Sequence, residues 1–150
     1  MYKQGAPEHL TKFNTERPIL AFCTKVYDGD TAHFVFDMLD VFYSKAENKD
    51  FKRPDHKWLV KMSCRFYGYD TAEMTSKCED MSVLAEEAKK ALADLILDKY
   101  CMINILDTDK YGRMLVAVNI EDTDVNEYMA SKHGVRYYGY GAKMAEQLKN

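Results

Sequence analysis

From Pro18 onward, apolar and polar positions alternate with the period of two that a half-buried strand requires. The run ILAFCTKVY (19–27) predicts a first strand with Leu20, Phe22 and Val26 on one face and Lys25 on the other. TAHFVF (31–36) predicts a second, with Ala32, Phe34 and Phe36 set against Thr31 and His33. Asp28 and Gly29 supply turn chemistry between them, so the pair forms a hairpin with DGDT (28–31) at its bend. WLVKMSCRFY (58–67) is the clearest strand: Trp58, Val60, Met62, Cys64 and Phe66 point one way, and Leu59, Lys61, Ser63, Arg65 and Tyr67 the other. Arg65 therefore lies on the more polar face, and Gly68 lets the chain bend just beyond it. YCMINIL (100–106) and RMLVAVNI (113–120) complete the strands, joined by the tight turn DTDKYG.

Between the third and fourth strands the period changes. Ser82 is a good N-cap for VLAEEAKKALADLILDK, whose apolar stripe is Leu84, Ala88, Leu92, Leu95 and Ile96, with Glu86 and Lys90 paired on another face. Such a stripe predicts core packing rather than a partner surface. Asp122 or Thr123 starts a second helix with Val125, Tyr128 and Met129 inward, Lys132 and His133 in its last turn, and Gly134 ending it. A third helix-like stretch, AKMAEQLKN, closes the chain. Residues 1–17 read as a polar arm on the surface, and 18–150 as one domain. Residues 37–57 mix acids and bases with one proline, and predict a long exposed excursion between two strands. Five short strands with a long helix between the third and fourth is the order of an OB-fold barrel. The predicted class is mainly β (α+β), with two to three flanking helices.

Composition narrows the class further. With 47% hydrophobic and 30% charged residues in 150, the chain is globular and long enough to bury a core. No apolar run approaches the ~20 residues needed to span a bilayer, so no membrane partner is expected. The N-terminus lacks the apolar core of a secretory signal, which predicts an intracellular protein. Cys23, Cys64, Cys78 and Cys101 are scattered without CxxC spacing, as buried thiols in a reducing compartment would be. His9, His33, His56 and His133 offer no zinc-ligand pair. A net charge of −3 argues against general nucleic-acid affinity. It weighs little against an enzyme that grips phosphate through a bound cation and a few arginines.

Three polar clusters sit at strand ends: DGDT (28–31), RFYGYDTAE (65–73) and DKYGR (109–113). Gathered together, Asp28, Asp30, Asp70 and Glu73 would repel one another unless a cation sat among them. Hard oxygen donors without His or Cys suit calcium, magnesium or manganese. Arg65 and Arg113 can each offer phosphate oxygens a planar, permanently charged fork. A cation, two arginines and a spare carboxylate are the parts a phosphodiester hydrolase uses. In a straight strand Arg65 and Asp70 would stand ~17 Å apart, so a bend at Gly68 and a bridging phosphate are expected to close the gap.

These clusters resemble the signatures of the staphylococcal nuclease (thermonuclease) family in order and internal spacing. The family's DGDT is matched at Asp28 to Thr31, its R-x4-D-T-x-E at Arg65, Asp70, Thr71 and Glu73, and its DKYGR at Asp109 to Arg113. Ala72 stands where the family usually has proline, and the segment after Glu73 is short, with Lys77 its only basic candidate. The resemblance implies that Asp30, Asp70 and the Thr71 carbonyl ligate Ca2+, with Mg2+ or Mn2+ as substitutes, and that Asp28 acts through water. It implies Glu73 as general base, Arg65 and Arg113 as phosphate-gripping arginines, and Lys110, Tyr111, Tyr138 and Tyr140 as nucleotide contacts. The implied activity is cleavage of single-stranded DNA and RNA to 3′-phosphate ends, by a chain taken to be a monomer.

Each cluster alone has a bland explanation, DGDT as a common turn and DKYGR as an ordinary charged hairpin loop. Their conjunction would require three coincidences. The competing functional reading is a non-catalytic module on the same fold that binds nucleic acid or protein. Retention of every carboxylate and both arginines favours the enzyme. The tyrosines at 137, 138 and 140 suit packing as well as base stacking.

Overall fold

The computed structural model describes residues 14–44, 54–72 and 79–136. In chain order the elements are β1 (Ile19–Asp28), β2 (Thr31–Asp37), α1 (Met38–Tyr43), β3 (Leu59–Phe66), β4 (Tyr69–Asp70) and α2 (Glu79–Ile96). They continue with β5 (Tyr100–Thr108), β6 (Met114–Ile120), β7 (Thr123–Asp124), α3 (Val125–His133) and β8 (Val135–Arg136). Strands β3, β2, β1, β5 and β6 are neighbours in that order, all antiparallel. Parallel pairing of β6 with β3, at Cys64↔Met114 through Phe66↔Val116, brings the last strand back to the first edge. The result is a closed five-stranded mixed barrel, an OB-fold, as the strand order predicts, with three helices among the described residues; the helix expected at AKMAEQLKN lies outside them.

The interior is filled from alternate positions. Ala32, Phe34 and Phe36 of β2 and Cys64 and Phe66 of β3 are buried, with the Phe34 and Phe66 rings stacked at 6.1 Å. β1 departs from its predicted facing. Ile19, Ala21, Cys23 and Val26 are the inward residues, whereas Leu20 is 52% exposed and Phe22 half-buried. A register shift between Cys23 and Lys25 explains this: one extra residue flips the alternation, so Val26 shares the face of Cys23 rather than of Phe22.

Helix α2 closes one end of the barrel with Ala85, Ala88, Leu92 and Ile96, each wholly buried. The helix starts at Glu79, so Ser82 lies inside it rather than capping it, and the predicted stripe residue Leu84 is 52% exposed. Small alanines take the inner face because the β1–β2 bend comes too close for leucine. A Cβ on Gly29 would lie 2.6 Å from the Ala88 Cβ. In α3, Asp124 is the cap, accepting from the Glu127 N–H; Val125 and Met129 are buried, but Tyr128 lies on the rim at 39% exposure.

The excursion predicted for 37–57 is not uniformly exposed loop. Asp37 caps α1, its Oδ1 accepting from the N–H groups of both Leu39 and Trp58, and Met38, Leu39 and Val41 are buried. One carboxylate thus ties the beginning of the excursion to its end. Thr15 and Arg17 are also fastened to the body, through Ile105 and the Ser44 carbonyl.

Candidate functional site

Cross-strand register brings the polar clusters to one end of the barrel. Thr31 of β2 lies opposite Arg65 of β3, and on the other side of Arg65 lies Leu115 of β6, two residues beyond Arg113. Gly68, at φ 99°, then reverses the chain, and β4 carries Asp70 back alongside Arg65. The separation expected for a straight strand disappears. The Arg65 guanidinium lies against the Asp70 carboxylate directly and 3.4 Å from Asp30 Oδ2. It also donates to the carbonyls of Phe66 at 2.9 Å and Tyr69 at 3.0 Å, so five residues of chain fold around one side chain.

Asp30 is buried at the centre. Its Oδ1 accepts from the Thr31 hydroxyl at 3.0 Å, and its Oδ2 from the Thr71 N–H at 3.2 Å and the Thr71 hydroxyl at 3.4 Å. Asp28 accepts from the Asp30 N–H at 3.1 Å. Burial, and then the hydrogen bond and charge of Asp30, push the Asp28 carboxyl well above the usual carboxylate range.

The donors at Asp28, Asp30 and Asp70 are all hard oxygens, which fits the implied calcium. Asp30, Asp70 and Thr71 are the residues that would hold the ion. Among the described residues, no group of three or more His, Cys, Asp or Glu side chains gathers around one point. Glu73, Tyr138 and Tyr140 lie outside the described residues.

DKYGR forms a neighbouring cluster at the β5–β6 turn. Arg113 is held by Asp109, whose Oδ2 accepts from its Nε at 2.7 Å and whose Oδ1 accepts from its N–H at 2.9 Å. Partial desolvation works against ionisation of Asp109, but the hydrogen bonds and charge of Arg113 outweigh it and hold the carboxyl below its ordinary range. Tyr111 is 73% exposed, with Lys110 Nζ 5.2 Å and the Arg113 guanidinium carbon 5.7 Å from its ring centroid. Arg65, Asp30, Asp70 and Thr71 are therefore brought into contact, with Asp28 tied to Asp30. Lys110, Tyr111 and Arg113 stand beside them, attached through the β6–β3 pairing.

Several supporting residues carried no signal in the sequence pattern. The buried Tyr69 donates its hydroxyl to the Gly29 carbonyl at 2.8 Å, binding the second cluster to the first. Asn126 accepts from the Val118 N–H and donates to the carbonyls of Tyr67 and Val116, joining α3 to the turn after Arg65. β8 pairs with β4 at Asp70↔Val135, and a Cβ on Gly134 would lie 2.8 Å from the Asp70 carbonyl oxygen. Gly134 was legible as a helix end; its role against Asp70 was not.

The fold is that of the OB barrels, a class whose members bind oligonucleotides and oligosaccharides. The family model described as staphylococcal nuclease homologue matches residues 63–149, more than half of the chain, and the chain belongs to that family. The matched segment holds the second and third clusters. DGDT lies outside it and joins the second cluster through the contacts of Asp30 with Arg65 and Thr71. No curated protein matches the chain.

Proposed function

We propose that this protein is a calcium-dependent nuclease that hydrolyses phosphodiester bonds of single-stranded DNA and RNA and leaves 3′-phosphate ends. The observation that carries the reading is the single guanidinium of Arg65 set against both Asp30 and Asp70, residues 40 positions apart.

In this reading Asp30, Asp70 and the Thr71 carbonyl would hold the ion, and Asp28 would act through water. Bound there, the ion would supply Lewis acidity. Glu73 takes the proton of the attacking water. Arg65 and Arg113 meet the charge that builds on the phosphoryl oxygens, their forks matching two oxygens each. Lys110 and Tyr111, exposed beside Arg113, hold the nucleotide, with Tyr138 and Tyr140 assigned the same task. The supporting frame is Thr71, Tyr69 and Asn126, which fix the main chain that presents Asp30 and Asp70.

Digestion of single-stranded DNA with calcium, with a chelator, and by Glu73→Ala tests the proposal. Expected are chelator-sensitive cleavage, products with 3′-phosphate ends, and a loss of several orders of magnitude in the variant. Binding without cleavage in all three conditions would instead establish the non-catalytic module.

A further inference from the structure

The bulge that turns Leu20 and Phe22 outward leaves an apolar patch on the wall of the barrel. Antiparallel partners point to the same side of a sheet, so register lays the patch out in rows. One row is Met102–Leu20, continued past Asp37 by Leu59; the next is Tyr100–Phe22–Val35. Leu20 is 52% exposed, Leu59 62%, Tyr100 65% and Met102 40%. A large side chain offers on the order of 200 Å2, so these four leave roughly 440 Å2 open, toward the upper end for a monomer.

The patch carries a hollow, a knob and opposed charges. Its first row is interrupted at Asp37, which is buried with Oδ1 committed to the N–H groups of Leu39 and Trp58. The interruption opens as a groove of roughly 460 Å3 walled by Leu20, Phe22, Lys57 and Leu59, with Asp40 of α1 at one end. The knob is Tyr100, packed edge-on against the Phe22 ring at 4.9 Å and so fixed in position. Beyond the second row, about 7 Å further along the strands, exposed Lys25 lies opposite His33. The order along the strand direction is therefore Asp40, the Leu20 row, the Phe22 row, Lys25.

We infer that this patch joins two copies of the chain face to face about a two-fold axis. An axis through the patch centre, between the Leu20 and Phe22 rows, reverses that order and carries Asp40 of each copy onto the Lys25 row of the other. The same rotation sets each Tyr100 over the other copy's groove at Asp37, an aromatic knob in an open hollow. An isologous interface requires this self-complementarity, because the same patch must serve both sides. Phe22, Val35 and the stems of Lys25 and Lys57 bring the covered surface to about 600 Å2 per copy, or about 1,200 Å2 in all, the lower limit for stable interfaces. Asp40 in the groove disfavours a polyanion. A foreign partner would explain neither the knob and hollow on one face nor the charges opposed across it. Arg65 lies beyond the Lys25 row, so the two candidate sites stand at opposite ends of the pair. The pairing does not depend on what those sites do.

The test is sedimentation velocity of the full chain from about 1 μM to about 1 mM, the range in which an interface of this size associates. The wild type should pass from 17.4 kDa to twice that mass. Tyr100→Ala should raise the dimer Kd about tenfold or more, since buried aromatic anchors dominate interfaces and the axis makes each contact twice. Asp40→Lys and Lys25→Glu should each weaken association about tenfold or more, because each sets like charges against one another at both ends of the patch. Mixed in equal amounts, the two charge variants should associate as tightly as the wild type: one acid–base contact is restored in reverse and the other is unchanged. An effect confined to one chain cannot produce that rescue, and the rescue also shows that both variants fold. A wild type that stays at 17.4 kDa throughout would overturn the proposal and give the face to a partner of another sequence. Charge variants that remain apart when mixed, or Tyr100→Ala dimerising with wild-type affinity, would overturn it equally.

Discussion

Replacing Gly29 by alanine probes a very close approach between the β1–β2 bend and α2. The added Cβ would lie 2.6 Å from the Ala88 Cβ and 2.8 Å from both Cγ2 and Oγ1 of Thr71. Carbon atoms rest about 3.5–4.0 Å apart, so β1, α2 or the segment after β4 must yield by about 1 Å. Ala88 is wholly buried on a packed helix and cannot swing aside. Overpacking of this kind costs about 1–3 kcal/mol. For a domain of this size that is roughly 3–10 °C in Tm. The assay is urea unfolding, read as a lower midpoint at unchanged m. Because Thr71 holds Asp30 Oδ2 through its N–H and hydroxyl, displacement should also lower cleavage beyond the fall in folded fraction. Ala88→Gly by itself costs about 1 kcal/mol in helix propensity, but combined with Gly29→Ala it should be less harmful than the sum by about 0.5 kcal/mol or more. A Gly29→Ala variant within about 0.5 kcal/mol of wild type, or strict additivity with Ala88→Gly, would refute the packing argument.

Further outcomes follow from the same contacts. Arg65→Ala should destabilise the calcium-free protein by about 2–4 kcal/mol, since it leaves buried Asp30 without its cation. Thermal melts in chelator and in millimolar calcium should show that deficit narrowing with the ion, and an equal deficit in both would mean that these acids do not take it up. Arg113→Ala, whose partner pair sits at a partly exposed turn, should cost less than about 1 kcal/mol while lowering turnover. Asn126→Leu should cost about 2–4 kcal/mol by orphaning the Val118 N–H and the carbonyls of Tyr67 and Val116, and a midpoint unchanged in urea would contradict the bridging role. Burial pushes the thiols of Cys23 and Cys64 up to about 12 and that of Cys101 to about 11. Folded pKa values above the unfolded ones stabilise the protein below pH ~9, and the contribution is lost as pH rises toward them. Melting from pH 8 to 11 should show this fall, shallower in Cys64→Ala.

Most of the barrel was legible because strand periodicity and turn chemistry are local. Phe34, Phe36, Cys64 and Phe66 face inward as the alternation requires, and DGDT sits at the β1–β2 bend. Leu20 and Phe22 were assigned to the wrong face because a bulge is a property of two strands, not of one. Leu84 misled for a similar reason: the buried side of α2 depends on how near Gly29 approaches Ala88, which no helical period encodes. Asp37 resembled one acid among several in a charged run until its bonds to Leu39 and Trp58 gave it a purpose.

The site divides along the same line. Residue types and spacing within each motif determined which chemistry the chain can host, because ligand hardness and guanidinium geometry belong to the side chains themselves. Only the folded chain decided that Asp30 and Asp70 share Arg65, and that Thr71 and Tyr69 fasten the second motif to the first. The reason is distance along the chain: register and barrel closure join residues dozens of positions apart, and no local pattern carries that pairing.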